Sequence, residues 1–213
     1  MKLSSLSFAD QACIPELYAF GKIDPKSHVA LADNLNPHLV WEDAPAGVQS
    51  FVVICHDPDA PTKADDVNQE DREVPADLPR MDFYHWVLVD IGADTNEIAE
   101  GEYCNEVLPR GKGGPLTPQG TRQGVNDYTS WFAGDRDMAG EYFGYDGPCP
   151  PWNDALSHRY IFTLYALDVA SLPLEGTFTG SQVLEAIKGH VLAEASLTGT
   201  YALNPALAPK QVG

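Results

Sequence analysis

Three constellations in the chain carry side chains able to bind a small charged ligand. The first is Asp57-Pro58-Asp59-Ala60-Pro61. Two carboxylates at i and i+2, stiffened by prolines, can bind a cation, share a proton or orient an amine. The same residues also make ordinary turns, because an Asp side chain accepts backbone N–H bonds two residues on. The second is His85-Trp86, near the start of a strand. A histidine there can meet a ligand, though packing is its commoner role. The third is Gly147-Pro148-Cys149-Pro150-Pro151 followed by His158-Arg159-Tyr160. His158 and Tyr160 lie two apart at a strand start, so they project from one face. A glycine–proline loop beside them can fix backbone amides. Imidazole, phenol hydroxyl and backbone N–H form a donor set suited to an anion. Converged, these runs make a small pocket, with carboxylates on one wall and donors on the other. It suits a phosphate or another oxyanion that carries an amine. No Ser or Cys stands in a nucleophile-elbow pattern, and nothing in the sequence lowers the pKa of Cys149.

The elements that must position these groups are mostly short strands. Ser50 to Cys55 is an apolar, β-branched run that reads as a buried strand. Phe83 to Ile91 is a second, with His85, Val87, Val89 and Ile91 on one face and Tyr84, Trp86 and Leu88 on the other. Tyr160 to Leu167 is a third, and Ala30–Trp41 and Gly124–Phe132 are weaker strand or turn candidates. One helix is expected. Thr179-Gly180-Ser181-Gln182 has capping-box spacing, and Val183, Leu184, Ile187, Val191 and Leu192 follow at helical intervals. Strands and helices do not alternate, so a doubly wound sheet is disfavoured.

The chain has 213 residues, enough for one domain with a sizeable core. Its formal net charge is −18, which argues against nucleic acid and against docking on an anionic membrane through a polybasic face. The Met1–Phe8 segment begins like a signal peptide, but Ser4, Ser5, Ser7, Asp10 and Gln11 break the apolar run. No stretch is long and apolar enough for a membrane helix, and a soluble, cytoplasmic protein is expected. Cys13, Cys55, Cys104 and Cys149 form no C-x-x-C, so free buried thiols are expected and no metal or other cofactor is implied. Residues 62–84 carry seven acids, Asp65, Asp66, Glu70, Asp71, Glu73, Asp77 and Asp82, and read as a solvated acidic loop. Val107 to Asn126 holds Arg110, Lys112 and Arg122 without an acid and reads as a flexible basic loop, without the P-loop spacing. Residues 205–213 read as an extended tail.

Together, in this order and spacing, the motifs resemble the phosphatidylethanolamine-binding protein family, and most closely its bacterial Raf kinase inhibitor-like branch. The resemblance runs nearly end to end. It includes Ile14-Pro15-Glu16-Leu17-Tyr18 and the run Asn34 to Trp41, where Asn36 and His38 depart from the family pattern. It also includes Gly189 to Tyr201, which resembles the family's last helix. The resemblance implies one domain over 1–213, a mainly β, Greek-key-type β-sandwich with a few peripheral helices, one of them near the C-terminus. It implies a pocket for phosphate-like anions, the phosphoethanolamine headgroup among them. That pocket would be lined by Asp57, Asp59, His85, Gly147, Pro148, His158 and Tyr160, with a backbone amide of the 147–151 loop. It further implies a homodimer, and a regulator without enzymatic activity that inhibits a kinase or protease. The acidic loop, longer here than the family pattern suggests, would supply recognition of a basic partner. A remoter alternative is a metal-dependent phosphatase, since a strand followed by D-x-D resembles haloacid dehalogenase-type enzymes. Pro61 stands where that pattern wants Thr or Val.

Overall fold

The computed structural model describes residues 1–208. Its centre is a five-stranded antiparallel sheet in the order β10-β9-β5-β6-β8. The long strands are β5 (Ser50–Pro61), β6 (Arg80–Gly92), β9 (His158–Leu167) and β10 (Val191–Tyr201), with the short β8 (Arg122–Gln123) at one edge. A three-stranded sheet, β1 (Lys2–Ser4), β4 (Leu39–Glu42) and β7 (Glu97–Ile98), packs over one face. Leu3, Leu39, Trp41 and Ile98 from it meet Phe51, Val53, Trp86, Leu88 and Phe162 in a shared core. A hairpin of β2 (Gly21–Asp24) and β3 (His28–Leu31) lies apart from both sheets. The other face of the large sheet is buried too. There Val52, Ile54, Val87 and Val89 pack against Phe178, Val183 and Ile187. This explains the unbroken apolar run at 51–55: both faces of that strand are covered, so no polar alternation is needed.

Helix α2 (Gly180–Ala186) begins where the sequence places it. The Thr179 side chain accepts from Gln182 N–H, and the Gln182 side chain accepts in return from the Thr179 N–H at 2.9 Å. Thr179→Ala should cost about 1 kcal/mol of stability, read from the urea midpoint; no shift would mean the cap is idle. The helix ends sooner than the periodicity suggests. Gly189 takes a left-handed φ of 82°, and the chain reverses into β10. The segment from Val191 to Tyr201, expected as helix, is therefore a strand paired along β9. Its alternation decides this: Leu197, Gly199 and Tyr201 point into the core, while Glu194 and Ser196 face solvent.

Other expectations need correction. Asp90 sits at a φ of 61°, and the β5–β6 register slips beside it, from Phe51↔Ile91 to Val53↔Leu88. The bulge rotates Ile91 onto the face of Trp86 and Leu88, away from Val87 and Val89. Gly124–Phe132 contains no long strand; it ends in the single helical turn α1 (Tyr128–Trp131). In Ala30–Trp41, β3 stops at Leu31 and β4 starts at Leu39. The acidic loop is not a free excursion. Val67 and Val74 are buried, and the Asn153 amide donates to the carbonyls of Asp66, Gln69 and Arg72. The basic loop is committed inward: Lys112 lies 2.9 Å from Asp146, and Arg122 is 2.5 Å from Asp90. Residues 204–208 form a turn closed on Asn204, not an extended tail, and 209–213 lie outside the described residues. All four cysteines are free thiols. Among the described residues no helix is long and apolar enough to cross a membrane.

Candidate functional site

A cavity of about 600 Å³ opens where β5, β6 and β9 end. Asp57, His85, His158 and Tyr160 form its polar base, and Cys149, Pro150 and Pro151 form one wall. All four base residues are buried. Three strands bring them together, so the separate sequence runs do converge. Asp57 lies within β5 rather than after it, because two bulges let the strand bend on to Pro61.

His158 is held from both sides. Its Nδ1 is 2.7 Å from Asp57 Oδ2 and its Nε2 is 3.0 Å from Asp154 Oδ2. Burial opposes its charge, yet the two carboxylates prevail and raise its pKa to about 9. Asp154 in turn receives a two-pronged bond from the Arg80 guanidinium, at 2.7 and 3.0 Å. Asp57, His158, Asp154 and Arg80 thus form a buried chain of alternating charge that sums to zero. His158 has no ring nitrogen left for a ligand. Its role is to orient Asp57 and cancel its charge.

His85 is poised differently. Its Nδ1 lies 2.7 Å from the Asp146 carbonyl, which can only accept, so that nitrogen carries the proton. Burial lowers the His85 pKa. The neutral ring therefore keeps a lone pair on Nε2. Tyr160 packs edge-on against this ring at 5.1 Å, and its hydroxyl is buried without a hydrogen-bond partner. An orphaned hydroxyl of this kind costs about 1–3 kcal/mol unless something meets it.

Asp59 is not brought to the cavity. The Arg159 guanidinium clasps its two oxygens at 2.8 Å each, so the D-x-D pair is split. Gly147 and Pro148 lie behind the wall. Gly147 N–H donates to Asn34 Oδ1, its carbonyl accepts from Tyr128, and Pro148 O accepts from Phe20 N–H. A Cβ on Gly147 would meet Tyr18 O at 2.0 Å, so only glycine fits there. Pro148, Pro150 and Pro151 have no N–H. Among the described residues the Cys149 N–H makes no bond, which leaves it as the loop's available donor. Burial pushes the Cys149 thiol up to about 12, which disfavours the thiolate form.

Residues 4–202 match the family model described as Phosphatidylethanolamine-binding protein. The chain belongs to this family. Its relatives include the UPF0098 protein YbhB of Escherichia coli K12, 34% identical over 203 residues that cover 94% of this chain and 99% of that one. The UPF0098 protein of Methanothermobacter thermautotrophicus is 33% identical, covering 94% and 98%. Among solved structures, Escherichia coli YbcL superposes with a TM-score of 0.66 at 23% identity, covering 94% and 97% of the two chains. A structure from Chlamydia trachomatis, titled as a homologue of this family, gives 0.62 at 28%, covering 94% and 95%.

Several groups that build the site in this family member escaped the sequence reading. Asp146 accepts from Asn34, Asn126 and Lys112 while its carbonyl fixes His85. Its only local signal is its place just before Gly147. Asp154 stands four residues before His158, a spacing that could have suggested the contact. Phe83 and Tyr128, whose rings flank His85 at 5.0 and 5.5 Å, carry no signal that separates them from core aromatics.

Proposed function

We propose that the base of this cavity binds a small phosphate-type anion, or the phosphate of a phosphoethanolamine headgroup, without chemical turnover. The buried, unpartnered Tyr160 hydroxyl carries this reading, because a ligand oxygen would satisfy it. The Cys149 N–H is a second donor. Asp57 and the His85 Nε2 lone pair are acceptors, and they suit the ligand's own donors: an ammonium group or a P–O–H. Asp57 does not repel the anion strongly, because His158 lies against it at 2.7 Å. The charge of −18 then belongs to the surface rather than to the pocket. Regulation of a kinase or protease is a separate reading. The acidic loop supplies part of the cavity rim through Thr62, Lys63 and Asn68, so a partner gripping it would sit over the mouth.

An NMR titration with phosphoethanolamine tests the binding. The His85 ring signals should move saturably, and Tyr160→Phe should weaken binding about tenfold, the loss of one hydrogen bond to an anion. The ligand-free variant should be as stable as the parent or up to about 1 kcal/mol more stable, since an unpaired buried hydroxyl is gone. Unchanged affinity in Tyr160→Phe would end this reading.

A further inference from the structure

The cavity is much larger than a phosphate or phosphoethanolamine needs, and most of its lining is apolar. Thr62, Lys63, Asn68, Asp127 and Ser130 are spread through the rest of the lining, while the buried polar groups Asp57, His85, His158 and Tyr160 gather at the base. From there a series of aromatic rings leads outward. His85 lies 5.0 Å from Phe83, and Phe83 lies 5.3 Å from Tyr128. Tyr128 stacks on Phe20 at 4.6 Å and on Phe132 at 5.5 Å. Trp131, at the outer end of this wall, is 50% exposed, although its indole lines the cavity. Met81 and Met138 add thioethers to the lining, and Met81 is 49% exposed. Both side chains line the cavity and keep apolar surface open to a ligand that enters it.

We infer that the cavity has a second subsite, walled by Phe83, Tyr128, Trp131 and Phe132, for a flat aromatic group attached to the bound anion. The ligand class is a small aryl phosphate or similar aryl oxyanion with a single anionic group. This rests on the anion-binding reading above and extends it. Ring faces and edges accept another ring in stacked or edge-on contact, and thioether sulfur favours an aromatic edge. A flexible chain would gain burial without those contacts and would pay rotamer entropy. The charge also restricts the ligand. Asp57 is paired, but Asp127 shares the lining, and among the described residues its carboxylate accepts the Tyr84 N–H alone. A ligand bearing a second anionic group beside the ring therefore meets the Asp127 carboxylate.

Calorimetry on the whole protein with methyl phosphate, phenyl phosphate and hexyl phosphate tests this. Phenyl phosphate should bind at least tenfold more tightly than methyl phosphate and measurably more tightly than hexyl phosphate. In Trp131→Ala, whose exposed side chain can be lost without unfolding, the phenyl advantage should shrink by at least threefold while methyl phosphate binds as before. Equal affinity for methyl and phenyl phosphate overturns the aryl subsite and leaves the anion site standing. A hexyl ester that matches the phenyl ester overturns the preference for a ring. Failure of all three to bind overturns the anion reading and the subsite with it. Met138→Ala gives an independent check: no effect on the phenyl advantage in both variants would show that the ring lies elsewhere.

Discussion

Asp154→Ala should lower stability by about 3–5 kcal/mol. The carboxylate is buried and holds two cations at once. Arg80 binds it through both terminal nitrogens, and His158 binds it at 3.0 Å. It also accepts the Leu156 N–H at 2.9 Å. Without it the Arg80 guanidinium, 11% exposed, keeps only carbonyl acceptors, at Asp59 and Pro75. The buried chain of alternating charge becomes net positive in a region that water barely reaches. Asp154→Asn should fall between the parent and the alanine variant, because the amide oxygen still accepts while the charge is lost. Urea unfolding of the three proteins checks the order. A cost below about 1 kcal/mol for the alanine variant would mean that the network contributes little, as exposed ion pairs do. The effect should reach the ligand site as well, since a loosened His158 no longer holds Asp57.

The second large effect is the response to alkali. The pKa of His158 is raised to about 9 in the folded protein, against 6.5 ordinarily. A raised value means that the folded state holds the proton more tightly than the unfolded chain. The stabilisation is therefore complete below about pH 6.5 and is lost as pH rises through about 9. A difference of this size corresponds to about 3 kcal/mol across that window. His85 and His56, whose pKa values burial lowers, oppose this trend only slightly: the unfolded imidazoles are half protonated at about pH 6.5, and above about pH 7.5 both residues are neutral in both states. They act chiefly on the acid side, where the unfolded chain takes up their protons more readily and folding loses ground. Unfolding free energies measured at pH 6.5 and at pH 9 should differ by about this amount, with the higher value at pH 6.5. In His158→Asn the slope over the same window should be largely gone. A parent protein equally stable at both values would show that His158 is not held as an imidazolium.

The legible part of this protein was local. Thr179 and Gln182 are three residues apart, and the capping box they form requires nothing distant. The runs at 51–55 and 160–167 carry enough β-branched and aromatic residues to be strands under any packing. Beyond Ala186 the helical period fails to predict the structure for an equally local reason. Val191 and Leu192 continue a helical period by chance, and the left-handed turn at Gly189, visible only in the backbone, overrules it. The face of Ile91 depended on one bulge, which no period-2 pattern encodes.

The chain by itself determined which residue types gather at the site, and that they sit at strand ends. Asp57, His85, His158 and Tyr160 could be named from their motifs and the family resemblance. Tertiary structure alone decided their roles. It paired Asp59 with Arg159 away from the cavity, used Gly147 and Pro148 as scaffolding, and saturated both nitrogens of His158. It also supplied Asp146, Asp154 and the aromatic wall from positions with no shared motif. The physical reason is that a side chain's chemistry is set by what lies within about 3 Å of it. For buried groups those neighbours come from distant parts of the chain: His158 and Asp57 are 101 residues apart, and Asp146 lies 61 residues from the histidine it orients.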